Sequence, residues 1–194
     1  MRRRWTLRLV AGLAAGAVVL SGCSDEQAAS DTLPEADASP TASEPALPPL
    51  GPPDLPMPDE ARTQDAAGAE AFVRYYIDLI NRTSTVMDAA PLREFSQGCE
   101  DCDRIASIVE QDAASGHQYD GGLITITSMG EPLIKDAAAE MAMRADVAAL
   151  TVQDAAGNPL PDLSSQAYAE LNGGAAIVWD PAQNAWRMTV LTLE

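Results

Sequence analysis

Nine of the chain's 14 prolines fall between Pro34 and Pro58, and that clustering decides how much of the 194 residues can build a packed domain. From Ser24 to about Asp59 the other residues are mostly Ser, Asp, Glu and Ala, with hardly an aromatic or β-branched side chain. Such a stretch has too little apolar surface to offset the entropy of ordering it. Runs such as Pro48-Pro49-Leu50-Gly51-Pro52-Pro53 favour extended polyproline backbone, in which roughly 35 residues at about 3.1 Å each would reach on the order of 100 Å. Composition therefore predicts a tether over 23–58 and one domain of ordinary size over 59–194, with no internal repeat. A proline-rich ligand for another module is the alternative, and the acids flanking the prolines oppose it.

Ahead of the tether, Arg2, Arg3, Arg4 and Arg8 precede or open an acid-free apolar run from Leu9 to Leu20. Positive charge followed by a short apolar run is the pattern of an export signal, and the run falls short of the ~20 residues that span a bilayer. Its end, Leu20-Ser21-Gly22-Cys23, resembles the bacterial lipobox, where the signal is cut just before the cysteine and a diacylglyceryl group is attached to its thiol. That resemblance implies a signal peptide over 1–22, cleavage between Gly22 and Cys23, and a lipoprotein whose palmitate-type chains hold it to the extracytoplasmic face of the cell membrane. Losing residues 1–22 removes four arginines and no acid, which shifts the formal charge from −17 to −21. So acidic a chain is repelled by phosphate backbones and anionic headgroups, so nucleic acid is not an expected partner and the lipid on Cys23 is the expected membrane contact.

Within 59–194 the hydrophobic period changes once. Phe72, Tyr75, Tyr76, Leu79 and Ile80 recur at helical spacing between Ala66 and Arg82, with Glu70, Arg74 and Asp78 opposite, which predicts an amphipathic helix. Asp88 can cap a second short helix running to Ser96 with Pro91 in its first turn, and Cys102 to Ala114 repeats the pattern before Gly116. After His117 the pattern alternates, in Leu123 to Ser128 and then in Met141, Met143, Ala145 and Val147. Ala175 to Trp179, the turn Asp180-Pro181-Ala182-Gln183-Asn184, and Trp186, Met188 and Val190 predict a C-terminal hairpin. Helices followed by antiparallel strands define an α+β domain.

The lipobox, the tether, the opening helix Gly68-Ala69-Glu70-Ala71-Phe72-Val73-Arg74-Tyr75-Tyr76, the Cys99-Glu100-Asp101-Cys102 element and the Trp186 strand together resemble the actinobacterial lipoproteins of unknown function, whose domain is similar to the nuclear-transport-factor-2-like (NTF2-like) cone. The resemblance covers most of the chain. It implies three N-terminal helices packed on a curved, mostly antiparallel four-stranded sheet around a conical pocket, which some superfamily members use for catalysis and many only for binding or pairing. The family has no established activity, so the resemblance carries a fold rather than a reaction.

Cys99 and Cys102 form the one recognisable chemical element of the domain, and three readings compete for it. A redox pair needs a depressed thiolate pKa, which Glu100, Asp101 and Asp103 oppose. A zinc site needs two more ligands, while the other cysteine is Cys23 and the only histidine is His117, so no metal is expected. An oxidising exterior favours a structural disulfide, and we expect Cys99 and Cys102 to be bridged. His117 reads as an exposed residue in the turn from the last helix to the first strand, because no nucleophile or second histidine stands in a partner motif. Asp136, Glu140, Asp146 and Glu170 read as solvent-facing acids, and Asp154-Ala155-Ala156-Gly157-Asn158 lacks the ligand ladder of a calcium loop.

Tyr75, Tyr76, Met141, Met143, Trp179 and Trp186 are candidates to line an apolar pocket, although helix-on-sheet packing needs the same side chains. No catalytic residue and no cofactor is expected. The leading reading is a non-catalytic envelope module that binds a small apolar ligand or a protein partner. Its rivals are a cone-type hydrolase or isomerase using a buried carboxylate or His117, and a homodimeric structural module paired through an open sheet face.

Overall fold

A computed structural model describes residues 48–194; Gly22 and Cys23 lie outside the described residues. The order is helices then strands: α1 (Ala66–Val86), α2 (Ala90–Glu94) and α3 (Glu100–Ala114), then β1 (Gln118–Gly121), β2 (Ile124–Met129), β3 (Leu133–Lys135), β4 (Ala138–Val147), β5 (Leu150–Gln153), β6 (Tyr168–Asp180) and β7 (Ala185–Leu193). The fold is α+β with antiparallel sheets. Among the described residues no helix is long and apolar enough to cross a membrane.

Each helix begins where the sequence supplies an acceptor for its unpaired N–H groups. Asp65 accepts from the Gly68 N–H at 2.7 Å to start α1. Asp88 accepts from the Ala90 N–H at the start of α2. Cys99 caps α3, whose first turn carries Glu100, Asp101 and Asp103 toward the positive end of the helix dipole. The buried stripe of α1 is Phe72, Val73, Tyr75, Tyr76, Ile77, Leu79 and Ile80, which contains the five side chains whose period predicted the helix and adds Val73 and Ile77.

The sheet differs from the expected four strands. A five-stranded sheet runs β2-β4-β6-β7, with β3 also paired to β4, and a separate two-stranded sheet joins β1 to β5. The second sheet continues the β2–β4 ribbon beyond a kink at Gly121 and Gly122, which have φ of 85° and 73°. A Cβ on Gly121 would lie 2.1 Å from the Ala149 carbonyl oxygen, so the crossing there demands glycine. Register shifts in the β2–β4, β4–β6 and β6–β7 pairings mark bulges, which bend a sheet and raise its twist.

Ala139, Met141, Met143 and Ala145 of β4, Ala175 and Ile177 of β6, and Trp186, Met188 and Leu191 of β7 are buried in or beside the helix-facing core. Their alternation leaves Glu140, Ala142 and Arg144 on the opposite face of β4. The expected C-terminal hairpin is present, with Trp179 opposite Trp186 and the two rings edge-to-face at 5.3 Å.

Residues 48–58, which composition assigned to the tether, pack on the domain instead. Met57 is buried and Leu50 and Leu55 lie against the core. The guanidinium of Arg62, itself buried, donates to the Pro48 carbonyl at 2.6 Å and across to that of Gln183 at 3.1 Å. Arg82 grips Asp54 with two nitrogens and Asp88 with a third, and Tyr75 Oη donates to the Leu55 carbonyl. Residues 48–58 thus belong to the domain rather than to a tether ending at 58, because apolar residues interleaved among the prolines bury against α1.

Candidate functional site

The cysteine pair forms a disulfide between Cys99 and Cys102, both 1% exposed, with Cα atoms 5.2 Å apart. The Cys102 N–H also points at Cys99 Sγ, so the bridge staples the first turn of α3. Buried sulfurs in so small a loop form a local brace. Cys99→Ser is expected to cost about 2 kcal/mol from the loop-entropy relation and to lower the thermal midpoint by several degrees; an unchanged midpoint in a calorimetric scan would contradict that role.

The aromatic candidates are taken up in the core, and the methionine candidates, though buried themselves, border the shallow depressions on the far side of the sheet. Tyr75, Tyr76, Met141, Met143 and Trp186 are all buried in the continuous core, and Trp179 packs against it. Their polar atoms are used internally: Tyr76 Oη donates to the Leu92 carbonyl and Trp186 Nε1 to that of Thr63 at 2.9 Å. Burial pushes the Tyr76 phenol up to about 12, so at neutral pH it is a hydrogen-bond donor and not a base. Large side chains from both layers fill most of the space between the helices and the sheet.

Recesses remain on the helix-facing side, two of them flanking Ile80 and Ile105 and another, about 380 Å³, between α1 and β2 beside Ile77, Asp78, Asn81 and Ile124. The first, about 210 Å³, adds Leu191 and Leu193 with Asp101 and Arg104. The second, about 180 Å³, adds Val109, Leu150 and Tyr119. These two fall below the roughly 300 Å³ at which drug-sized ligand pockets begin, whereas the recess between α1 and β2 exceeds it and holds Asp78, whose carboxyl is pushed above the usual range by burial.

His117 is more enclosed than its glycine-rich surroundings suggested, its side chain being 19% exposed. Its Nδ1 lies 2.9 Å from Asp112 Oδ1, and against a carboxylate that nitrogen carries the proton. Tyr119 Oη donates to the other Asp112 oxygen. Burial, then the neighbouring carboxylate, pushes the Tyr119 pKa well above its ordinary value. Asp112 therefore ties the end of α3 to β1, with both oxygens occupied. Sequence reasoning missed this cluster because nothing in the chain's order signals that Asp112 and Tyr119 meet.

The scattered acids stay apart. Asp136 lies in the β3–β4 turn, Glu140 points away from the helices, and Asp146 accepts from the Glu170 N–H. Asp154 accepts from Ala156 and Asn158, bonds that hold its carboxyl below the usual range and make the loop self-contained.

A broader concavity lies on the other side of the sheet. A shallow trough of about 590 Å³ runs over Ala142, Gly174 and Ala176 between Leu133 and Val190, with Glu131 and Glu140 at one end. A second depression adjoins it through Gly130, Ala142 and Gly173 and ends in Ser128, Arg144 and Asn172. Leu133 is 73% exposed and Val190 49%. The floor of the trough does not announce itself in the sequence, since Ala142, Gly174 and Ala176 are small.

A family model described as a family of unknown function, DUF6318, matches residues 42–192. The chain belongs to the DUF6318 family. No curated protein matches this DUF6318 chain. Among solved structures, it is similar to the intermembrane-space region of the chloroplast protein ARC6, at TM-score 0.47 and 14% identity over 68% of this chain and 97% of that one. It is also similar to Aln2 from a Streptomyces species, at TM-score 0.40 and 15% identity over 63% and 86%. A variant labelled Rd1NTF2 aligns at TM-score 0.36 and 8% identity over 65% and 99%.

Proposed function

We propose that this DUF6318 chain is a lipid-anchored module at the extracytoplasmic face of a bacterial membrane, with an NTF2-like domain that docks a protein on the outer face of its five-stranded sheet. The observation that carries the docking role is the location of exposed apolar surface. The helix-facing side is filled by core side chains apart from recesses of about 380 Å³ and less, whereas the opposite face presents a broader trough with Leu133 and Val190 uncovered. An open apolar trough suits a protein surface better than a small molecule, which needs to be enclosed. Three helices on one face of a sheet bent by bulges support the NTF2-like reading, and the signal pattern and lipobox of residues 1–23 support the anchor.

The enzyme reading draws on Asp112, His117 and Tyr119. It is weaker because both Asp112 oxygens are already bonded and the adjoining recess is small and largely apolar.

Accessibility of one introduced thiol tests the docking role. The disulfide and the lipid leave no competing thiol, so Val190→Cys is expected to react slowly with a membrane-impermeant maleimide in isolated membranes and quickly after extraction and dilution. Glu70→Cys, on the solvent face of α1, should react quickly in both. Equal reactivity of the Val190 variant in the two states would rule out a covered face.

A further inference from the structure

The edge of the main sheet beside α1 holds a feature separate from the trough. β2 ends its sheet, paired among the described strands to β4 alone. On its outer side the Asn81 amide donates to the Ile124 carbonyl at 2.9 Å and accepts from the Ile124 N–H at 2.7 Å. Those are the two bonds that a residue of a further strand would make, so the Ile124 main chain faces away from β4. Ile124 and Ile126 keep one register, opposite Val147 and Ala145, and main-chain groups two residues apart on a strand face the same way. The N–H and carbonyl of Ile126 therefore face outward as well. Among the described residues nothing bonds to them as Asn81 bonds to Ile124.

Charge supplies a second observation. Asp78 stands three residues before Asn81, nearly one turn or about 4.5 Å along α1, and lines the recess between α1 and β2 together with Ile126, Ile77 and Arg74. Arg74 is engaged by Glu70, whereas no ion pair engages Asp78 among the described residues. Asp78 sits at the exposed rim, yet the walls of the recess desolvate its carboxyl and push it above the usual range, the nearby Arg74 charge opposing this only in part. A carboxylate that has lost hydration and has no partner favours a cation beside it.

We infer that this recess binds a short, extended peptide segment of another protein that carries a lysine or arginine. The segment's backbone takes the open Ile126 rung as an added strand would, and its basic side chain pairs with Asp78. Asn81 closes the groove at one end by filling the rung before. At the other end the register shift after Ile126 breaks the regular edge, as bulges do where a sheet edge is shielded from indiscriminate pairing. One open rung between two stops admits a few residues and excludes a long strand. An acidic segment is repelled by Asp78, and a segment without an N–H at the rung leaves the Ile126 carbonyl unpaired. None of these residues lines the trough, so the site stands whether or not the outer face is covered.

Retention on immobilised peptides tests this with the full-length chain in a mild non-ionic detergent. The beads carry terminally blocked hexapeptides with a central Lys, Glu or Ser among mixed uncharged residues, so the side chain is the only cation and dense display compensates for weak single contacts. Wild type should be retained about tenfold more on Lys beads than on Ser beads, and Asp78→Lys should reverse the order in favour of Glu beads. Ile126→Pro should lose retention on all three. It removes an outward N–H, which proline does at an edge strand without breaking the ladder, and circular dichroism checks that the variant is folded. Lys beads whose peptides are N-methylated along the backbone test the same bonds from the other side and should retain little of the wild type. Equal retention on Lys and Ser beads would overturn the inference. So would a Lys preference that survives Asp78→Lys, which reports attraction to the acidic chain at large, or N-methylated beads that retain the chain as well as the unmethylated ones.

Discussion

Trp186→Ala is expected to remove about 3–5 kcal/mol of stability, the usual cost of truncating a fully buried tryptophan. Trp186 is completely buried, packs edge-to-face on Trp179 and donates its indole N–H to the Thr63 carbonyl just before α1. The alanine variant opens a cavity where β7 meets the helices and leaves that carbonyl without its donor, which adds about 1–3 kcal/mol where water cannot replace the bond. Domains of this size have about 5–15 kcal/mol in total, so the variant should be largely unfolded at moderate urea concentrations that leave the wild type folded. Urea titration followed by circular dichroism measures this without depending on tryptophan emission. A loss below about 1 kcal/mol, the range of surface substitutions, would mean that Trp186 does not join hairpin to helices as described.

Cys23→Ala is expected to have an all-or-none effect on location. Each buried methylene of an acyl chain contributes roughly 0.8 kcal/mol, and two or three chains hold a protein firmly where one holds it marginally. The acidic domain has no compensating attraction to anionic headgroups. The variant should therefore appear in the fluid fraction after cell fractionation, or accumulate as an uncut precursor. A cleaved Cys23→Ala protein that still sediments with membranes would contradict the anchoring proposal.

The parts of the fold that were legible in the sequence are those where one physical signal dominates. The stripe from Phe72 to Ile80 predicted α1, and the turn from Asp180 to Asn184 predicted the β6–β7 hairpin. The helix runs to Val86, about one turn further than its periodicity, because Arg82-Thr83-Ser84-Thr85 carries little apolar signal; Thr83 is buried by bonding back to the Ile80 carbonyl. The β1 and β5 strands were not legible. They are four residues each, half-buried, and paired across some 30 residues of chain, and the glycines at 121 and 122 separate them from the ribbon they extend. Residues 48–58 were misassigned because proline content dominated the reading, although Leu50, Leu55 and Met57 carried the opposite signal.

The candidate site was less legible than the fold, for a reason that applies generally. Aromatic residues that would line a pocket and aromatic residues that fill a core have the same spacing, and only packing distinguishes them. The trough is the converse case: Ala142, Gly174 and Ala176 matter through the bulk they lack, which no single residue advertises. The disulfide was legible because proximity in sequence and the oxidising exterior expected from the export signal both pointed to it.

The central claim, that the outer face of the sheet is covered in place, is tested most directly by hydrogen exchange on the full chain in its native membrane and again after extraction and dilution. Backbone amides of β4 and β6 around 138–144 and 172–178 should exchange more slowly in the membrane and faster on dilution, while those of α1 stay unchanged. Identical exchange of these strands in the two states would contradict the claim.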